Sequence, residues 1–413
     1  MELIQLIRES ISSFLFFIAM GKSYYSASKP IYIAVSILLY CGLFLLLSKT
    51  YFKGTRLNIY ISLATGLLIA FASVRYMPFG GDAQIYCNYI KMDISGQNIY
   101  SATEKYSFNY PPFFVIVLAQ FCKYNYESIY PIIYLILISI VSIYFTKEYK
   151  IEYIISATLL TSSFLGLRWI FKTGNFLVWE IIFLSLALFF SKRNANLTLI
   201  FLLLFGFQRL WFLLAAIFWY KISKEKINSS SLISSFILLL SLMIVRFDLL
   251  TSYIIQLYQG NTLSSVWNGA ADHNSPSIFL NFIDVFNLHD RLLPLFLSYS
   301  ILVIFFISKY LITNIFIQND HVISQIIFLL IILNPTFKPY LAILATISLF
   351  PLFEFMKKDY LNNFIFFYCF LINLFWIVGS IYPMGYPFSI FQIVFLISAC
   401  IVVNKKSYYI LYD

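Results

Sequence analysis

The sequence predicts an all-α, polytopic membrane protein of about 11–14 transmembrane or re-entrant helices, and three observations carry that prediction. The 413 residues are 61% hydrophobic, 20% aromatic and 11% charged, with a mean hydropathy of +0.84. Soluble chains carry about 45–50% apolar and roughly 25% charged residues, so a soluble globular protein is excluded. At about 20 residues per crossing, the apolar content suffices for ten or more spans. No polar stretch is long enough for a large aqueous domain, and lipid offers an open backbone no partner, so the apolar blocks are read as helices.

These blocks fall near 3–20, 30–48, 57–76, 111–122, 128–146, 151–167, 175–190, 197–220, 231–247, 294–309, 321–335, 338–356, 361–379 and 387–403. The first, with its apolar run Ser13 to Met20 behind Arg8, reads as a retained helix rather than a signal peptide, because Glu2 and Glu9 spoil the basic n-region. No fixed-period repeat or low-complexity linker divides the chain. Residues 1–413 are therefore read as one integral membrane domain.

Basic residues set the orientation. The net charge is +10, and its cations cluster in short connections: Lys49, Lys53 and Arg56; Lys192 and Arg193; Lys221, Lys224 and Lys226; Lys357 and Lys358; Lys405 and Lys406. That is the distribution of cytoplasmic loops, not of a nucleic-acid-binding surface. With those connections inside, the segment 77–110, the segment 248–293, and the turns 334–340 and 380–387 fall outside. Interfacial helices are expected in the first of these outer loops.

Two regions resist simple counting. The run 197–220 has basic loops at both ends, so either one end breaks the charge rule or the run is a hairpin of two half-helices turning at Gly206-Phe207-Gln208-Arg209. The hairpin is preferred, because polar residues at membrane depth are tolerated where backbone lines a cavity. Between 110 and 175, three apolar blocks occur where an even number of crossings is needed, so one must be re-entrant or interfacial. The five cysteines, Cys41, Cys87, Cys122, Cys369 and Cys400, show neither metal-ligand spacing nor a disulfide framework.

The most informative stretch runs from Arg75 through Gly80-Gly81-Asp82 to Tyr86, then Gly96, Asn98, Ile99 and Tyr100, and ends in Phe108-Asn109-Tyr110-Pro111-Pro112. An acid beyond a helix end, then an amphipathic segment, then Tyr-Pro-Pro opening the next helix resembles the GT-C superfamily of glycosyltransferases. More narrowly, it is similar to polyprenyl-phosphate-mannose-dependent mannosyltransferases and their bacterial relatives. Their Gly-x-x-x-Tyr element corresponds to Gly96–Tyr100, and Phe108 stands where they usually carry a Tyr. Further on, Gly174-Asn175 resembles a Gly-Gln-x-Asn element without its Gln, and Gln208-Arg209 falls where relatives place a Lys in an apolar hairpin. Asn274-Ser275 resembles an Asn-x-Ser element in a late outer loop. The run Asn334 to Tyr340, which includes Lys338, resembles a Ser-Pro-x-x-Trp-x-His-Tyr turn.

The resemblance implies a GT-C-like fold and an inverting hexosyltransferase. It would move a sugar from a polyprenyl-phosphate donor to a glycan or lipid-linked acceptor, outside the cytoplasmic membrane, with no metal and no cofactor. Such a reaction needs a base for the acceptor hydroxyl and cations for the departing phosphate. Asp82 is the candidate catalytic base. Arg168, Lys172, Arg209 and Lys338 are candidate phosphate contacts. Arg75, Tyr86, Tyr100, Tyr110, Asn175, Gln208, Asn274, Ser275 and Tyr340 complete the candidate substrate-binding set.

Plainer roles stand beside these. Asp82 can cap a helix or form a turn, Arg209 can snorkel or form a structural pair, and the three tyrosines can be interfacial belt residues. Asp93 reads as a solvated residue of the amphipathic segment, and His273 as a loop histidine. No glycine-rich phosphate loop is present, which argues against nucleotide-sugar or ATP-driven chemistry. A polysaccharide polymerase of the O-antigen or exopolysaccharide type is the alternative, since Arg75 and Gly81-Asp82 suit its outer-loop pattern. A lipid or solute transporter ranks third, because Glu180 is the chief acid inside the spans and no twin of the 197–220 hairpin exists.

Overall fold

A computed structural model describes residues 81–100, 108, 110–123, 141, 177–258, 277–286, 288, 291–313, 319–335 and 341–353. Among the described residues all regular structure is helical, with no strand. The helices are α1 (Gly81–Ile94), α2 (Phe113–Lys123), α3 (Leu177–Ser191), α4 (Ala195–Gln208), α5 (Leu213–Ser223), α6 (Ser229–Ile244), α7 (Phe247–Tyr258), α8 (Ile278–Val285), α9 (Leu292–Thr313), α10 (Asn319–Ile332) and α11 (Ala342–Phe353).

A central bundle of α3, α4, α5, α10 and α11 holds the main core. α10 is buried on every side, with Ile326, Ile327, Phe328, Leu330 and Ile331 fully enclosed, as expected of a helix surrounded by others. Around it pack Leu184 and Leu188 of α3, Leu202 and Phe205 of α4, Ala215 and Trp219 of α5, and Leu344 and Ile347 of α11.

α4 and α5 form the hairpin expected for 197–220. Asn194 caps α4, its side-chain oxygen accepting from the Asn196 and Leu197 amides at 3.0 and 3.1 Å. α4 stops at Arg209, whose backbone is extended (φ −135°, ψ 105°), and a 3₁₀ turn over Leu210–Phe212 reverses the chain. The returning helix lies so close that a Cβ on Gly206 would sit 2.5 Å from the Leu213 nitrogen, so only glycine fits there. At the far end the Trp219 indole donates to the Ala195 carbonyl at 3.0 Å. The two basic segments flanking this run therefore meet at one end of the bundle.

α1 ends in a Schellman motif. The Gln97 amide reaches the Met92 carbonyl and the Gly96 amide reaches that of Asp93, both at 2.9 Å, with Gly96 at φ +78°. A disulfide joins Cys87 of α1 to Cys122 of α2, which corrects the expectation that the cysteines form no framework. The two lie 35 residues apart, and only folding α2 back against α1 brings them together.

Among the described residues no single helix is long and apolar enough to cross a membrane. One bent pair, Ser229–Leu242 with Phe247–Gln256, meets the requirement of length and composition across a 91° break. Large apolar side chains stand exposed on one face of α6 (Ile233, Phe236, Ile237, Leu240, Ile244) and one face of α9 (Leu297, Ile301, Phe305).

Candidate functional site

The candidate site grows from the start of α1. Asp82 is the second residue of that helix, and its neighbour Ala83 is buried in the core of the central bundle. The N-terminus of α1 therefore abuts the bundle. One turn later Tyr86 leans on Tyr110, its hydroxyl 2.8 Å from the Tyr110 hydroxyl and the two rings edge to face at 5.5 Å.

The glycine of the Gly-x-x-x-Tyr element has a local reason. The Schellman turn at Gly96 redirects the chain, and the Asn98 side chain accepts from the Tyr100 amide at 3.0 Å. Tyr100 thereby swings inward and donates its hydroxyl to the Tyr110 carbonyl at 2.7 Å. Pro111 and Pro112 follow, and their carbonyls accept from Phe114 and Val115 to start α2. The tyrosines singled out in the sequence, Tyr86, Tyr100 and Tyr110, thus converge in one aromatic cluster with Tyr89, Phe108, Phe114 and Tyr253. Tyr86 and Tyr100 are buried, so an interfacial belt does not describe them. Burial, reinforced by the neighbouring Tyr253, pushes the Tyr100 phenol well above the ordinary tyrosine value, which keeps it a neutral donor.

An ion cluster that sequence reasoning missed clamps the cluster from behind. Arg246, at the break between α6 and α7, grips Asp93 with two parallel bonds of 2.8 Å and also binds Asp248 at 2.6 Å. Asp93 is 14% exposed, which corrects its reading as a solvated residue: it is a structural carboxylate that anchors α7 along the 93–100 segment. The Asn98 side chain donates to Ser252 at 2.6 Å along the same seam. The available signal was a lone Arg two residues before an Asp, at the end of an apolar run expected to face outward, against the positive-inside trend.

The hairpin turn joins this cluster to the rest. Phe207 packs against Phe113 and Phe114, while Trp211 on the other side of the turn stacks on Tyr299 and donates to the Leu330 carbonyl at 2.8 Å. Between them the Arg209 Nε donates to the fully buried Glu180 at 2.8 Å. Of the alternatives for Arg209, the ion pair is the one observed. The Leu333 carbonyl accepts from Tyr299 at 2.8 Å, and the Pro335 carbonyl accepts from the Ser277 hydroxyl. Ser277 follows Asn274-Ser275 by two residues, so the two late segments expected to face outward come together at their described edges.

Asp82 and Gln208 are placed by their backbone positions in α1 and α4. Arg75, Arg168, Lys172, Asn175, Asn274, Ser275, Lys338 and Tyr340 lie outside the described residues, as does His273. Among the described residues no three metal-ligating side chains gather. Comparison with known proteins finds no matching family model, no matching curated protein and no matching solved structure.

Proposed function

We propose that the chain is a membrane-embedded, inverting glycosyltransferase of GT-C type. It would transfer a sugar from a polyprenyl-phosphate donor to a glycan or lipid-linked acceptor on the outer face of the cytoplasmic membrane. The observation that carries this reading is the coupling of the helix opened by Asp82 to the Tyr-Pro-Pro turn. The Tyr86–Tyr110 contact and the Cys87–Cys122 bridge hold together the two elements on which the resemblance rests. A disulfide also belongs to an oxidising compartment, which agrees with an outer location. The exposed apolar faces of α6 and α9 suit contact with lipid tails.

In this reading Asp82 takes the proton of the acceptor hydroxyl. The freed oxygen attacks the anomeric carbon, and the bond from that carbon to the phosphate oxygen breaks with inversion. The leaving phosphate needs a fixed cation, and Glu180 holds the Arg209 guanidinium in one orientation at the same end of the bundle. Asp82→Asn removes the base while leaving the side chain's size unchanged. It is expected to abolish sugar transfer in membranes carrying a normal amount of folded protein, and retained transfer rejects the assignment. A deletion strain that accumulates single, fully decorated repeat units would instead mark the chain as a polymerase.

A further inference from the structure

The hairpin that solves the charge puzzle also builds a second polar site. Ser191 and the turn behind it, at the end of α3, meet the end of α5 and the 3₁₀ turn Lys224–Lys226 around a cavity of about 300 Å³. Lys192, Arg193 and Lys226 line it, and no acidic side chain does among the described residues. Arg193 is fixed in place: its guanidinium lies over the Phe189 ring at 4.1 Å and donates to the Phe189 carbonyl at 3.1 Å. The Asn194 cap already occupies amides of the α4 N-terminus, so the positive potential here comes from side chains.

The second observation is Ser223. Its side chain lines the same cavity, the residue is 2% exposed, and its hydroxyl has no hydrogen-bond partner among the described residues. A buried hydroxyl left unsatisfied is costly, and a ligand oxygen is the natural complement for a donor beside three cations. The cavity is at the small end of ligand pockets, large enough for a headgroup and too small for a lipid tail. α3 spans about 22 Å at 1.5 Å per residue, and its first turn touches the tyrosine cluster, so this site lies at the opposite end of the bundle.

We infer that this cavity is a binding site for a phosphate anion, distinct from the proposed transfer site. Lys192, Arg193 and Lys226 supply charge, and Ser223 supplies a hydroxyl donor. Two sources offer that chemistry: the headgroup of an anionic phospholipid, concentrated where basic loops meet a membrane, or soluble phosphate.

The test uses the full chain in nanodiscs and reads the thermal-unfolding midpoint. Phosphatidylglycerol is titrated into phosphatidylcholine discs in one arm, and inorganic phosphate is added to pure phosphatidylcholine discs in the other. One or both must raise the midpoint saturably. The double variant Lys192→Gln/Lys226→Gln should weaken that response roughly tenfold, the loss expected for a charge-assisted hydrogen bond. Ser223→Ala, which perturbs folding least, should weaken it by a smaller factor. Lys91→Gln/Lys123→Gln removes equal charge from α1 and α2, away from the cavity lining, and should leave the response intact. A response to phosphatidylglycerol alone assigns the lipid, and a response to phosphate alone assigns the soluble anion. No response in either arm, or equal loss in both double variants, overturns the site. Because no arm reads sugar transfer, its outcome is independent of the Asp82 assignment.

Discussion

Burying a carboxylate is expensive unless a partner is held at good geometry, and Glu180 illustrates the cost. It is fully buried, one oxygen accepts from Arg209 at 2.8 Å, and the other has no hydrogen-bond partner among the described residues. Such a pair contributes little net stability but is severe to break, since removing one charge strands the other. Glu180→Ala is therefore expected to cost about 3–5 kcal/mol, whereas Glu180→Leu/Arg209→Met should come close to wild type. Denaturation of the purified variants measures both, and a double variant as damaged as the single one refutes a purely structural pair. Transfer activity adds a separate reading: if Arg209 supports the leaving phosphate, the stable double variant remains inactive. The sequence offered both halves of this pair, Glu180 as an acid within a span and Arg209 at a hairpin tip, but not their meeting. The bidentate Arg246–Asp93 contact spans 153 positions and was still less accessible, because nothing local distinguishes a paired aspartate from a solvated one.

Elements were more legible than contacts, and the hairpin of α4 and α5 shows why. A run of 24 residues between two basic loops violates the charge rule as one span and satisfies it as two halves. That argument needs only topology. It placed the turn a little early: the chain leaves the helix at Arg209, the last of the expected Gly206–Arg209, and reverses over Leu210–Phe212, while Gly206 is used for packing rather than for bending. A Cβ at this position would approach the Leu213 nitrogen at 2.5 Å and its Cα at 2.7 Å, both backbone atoms that cannot rotate away. Gly206→Ala should therefore force the helices apart and cost about 1–3 kcal/mol, the range for overpacking a well-filled site. Gly96→Ala offers a contrast of different origin. Nothing lies within 4 Å of that Cβ, so its penalty comes from the positive φ alone and should be about 1–2 kcal/mol. Equal tolerance of alanine at 206 and at a solvent-facing helical position would show that the hairpin is not closed as described.

At the scale of the whole molecule, α3, α4 and α5 act as a ruler between two unlike ends. Trp179 and Phe207 pack on the tyrosine cluster and Trp211 stacks on Tyr299, whereas 191–196, Ser223 and Lys226 line the basic cavity. Lysine and arginine placement alone led to the expectation that the two basic segments flanking the hairpin share one end, and they do meet. The bridge between Cys87 and Cys122 was missed because its two cysteines carry no motif spacing, and the outer location proposed above would set it in an oxidising compartment. The two signals make a joint prediction. In intact cells a membrane-impermeant maleimide should label Gln97→Cys at the exposed turn after α1. It should label Lys226→Cys only once the membrane is opened, and the native Cys87 and Cys122 should react only after reduction. Labelling of both introduced cysteines from one side would separate charge from topology in this chain. The hairpin would then stand as a helical packing unit, but its two ends could no longer be assigned to opposite sides of a bilayer.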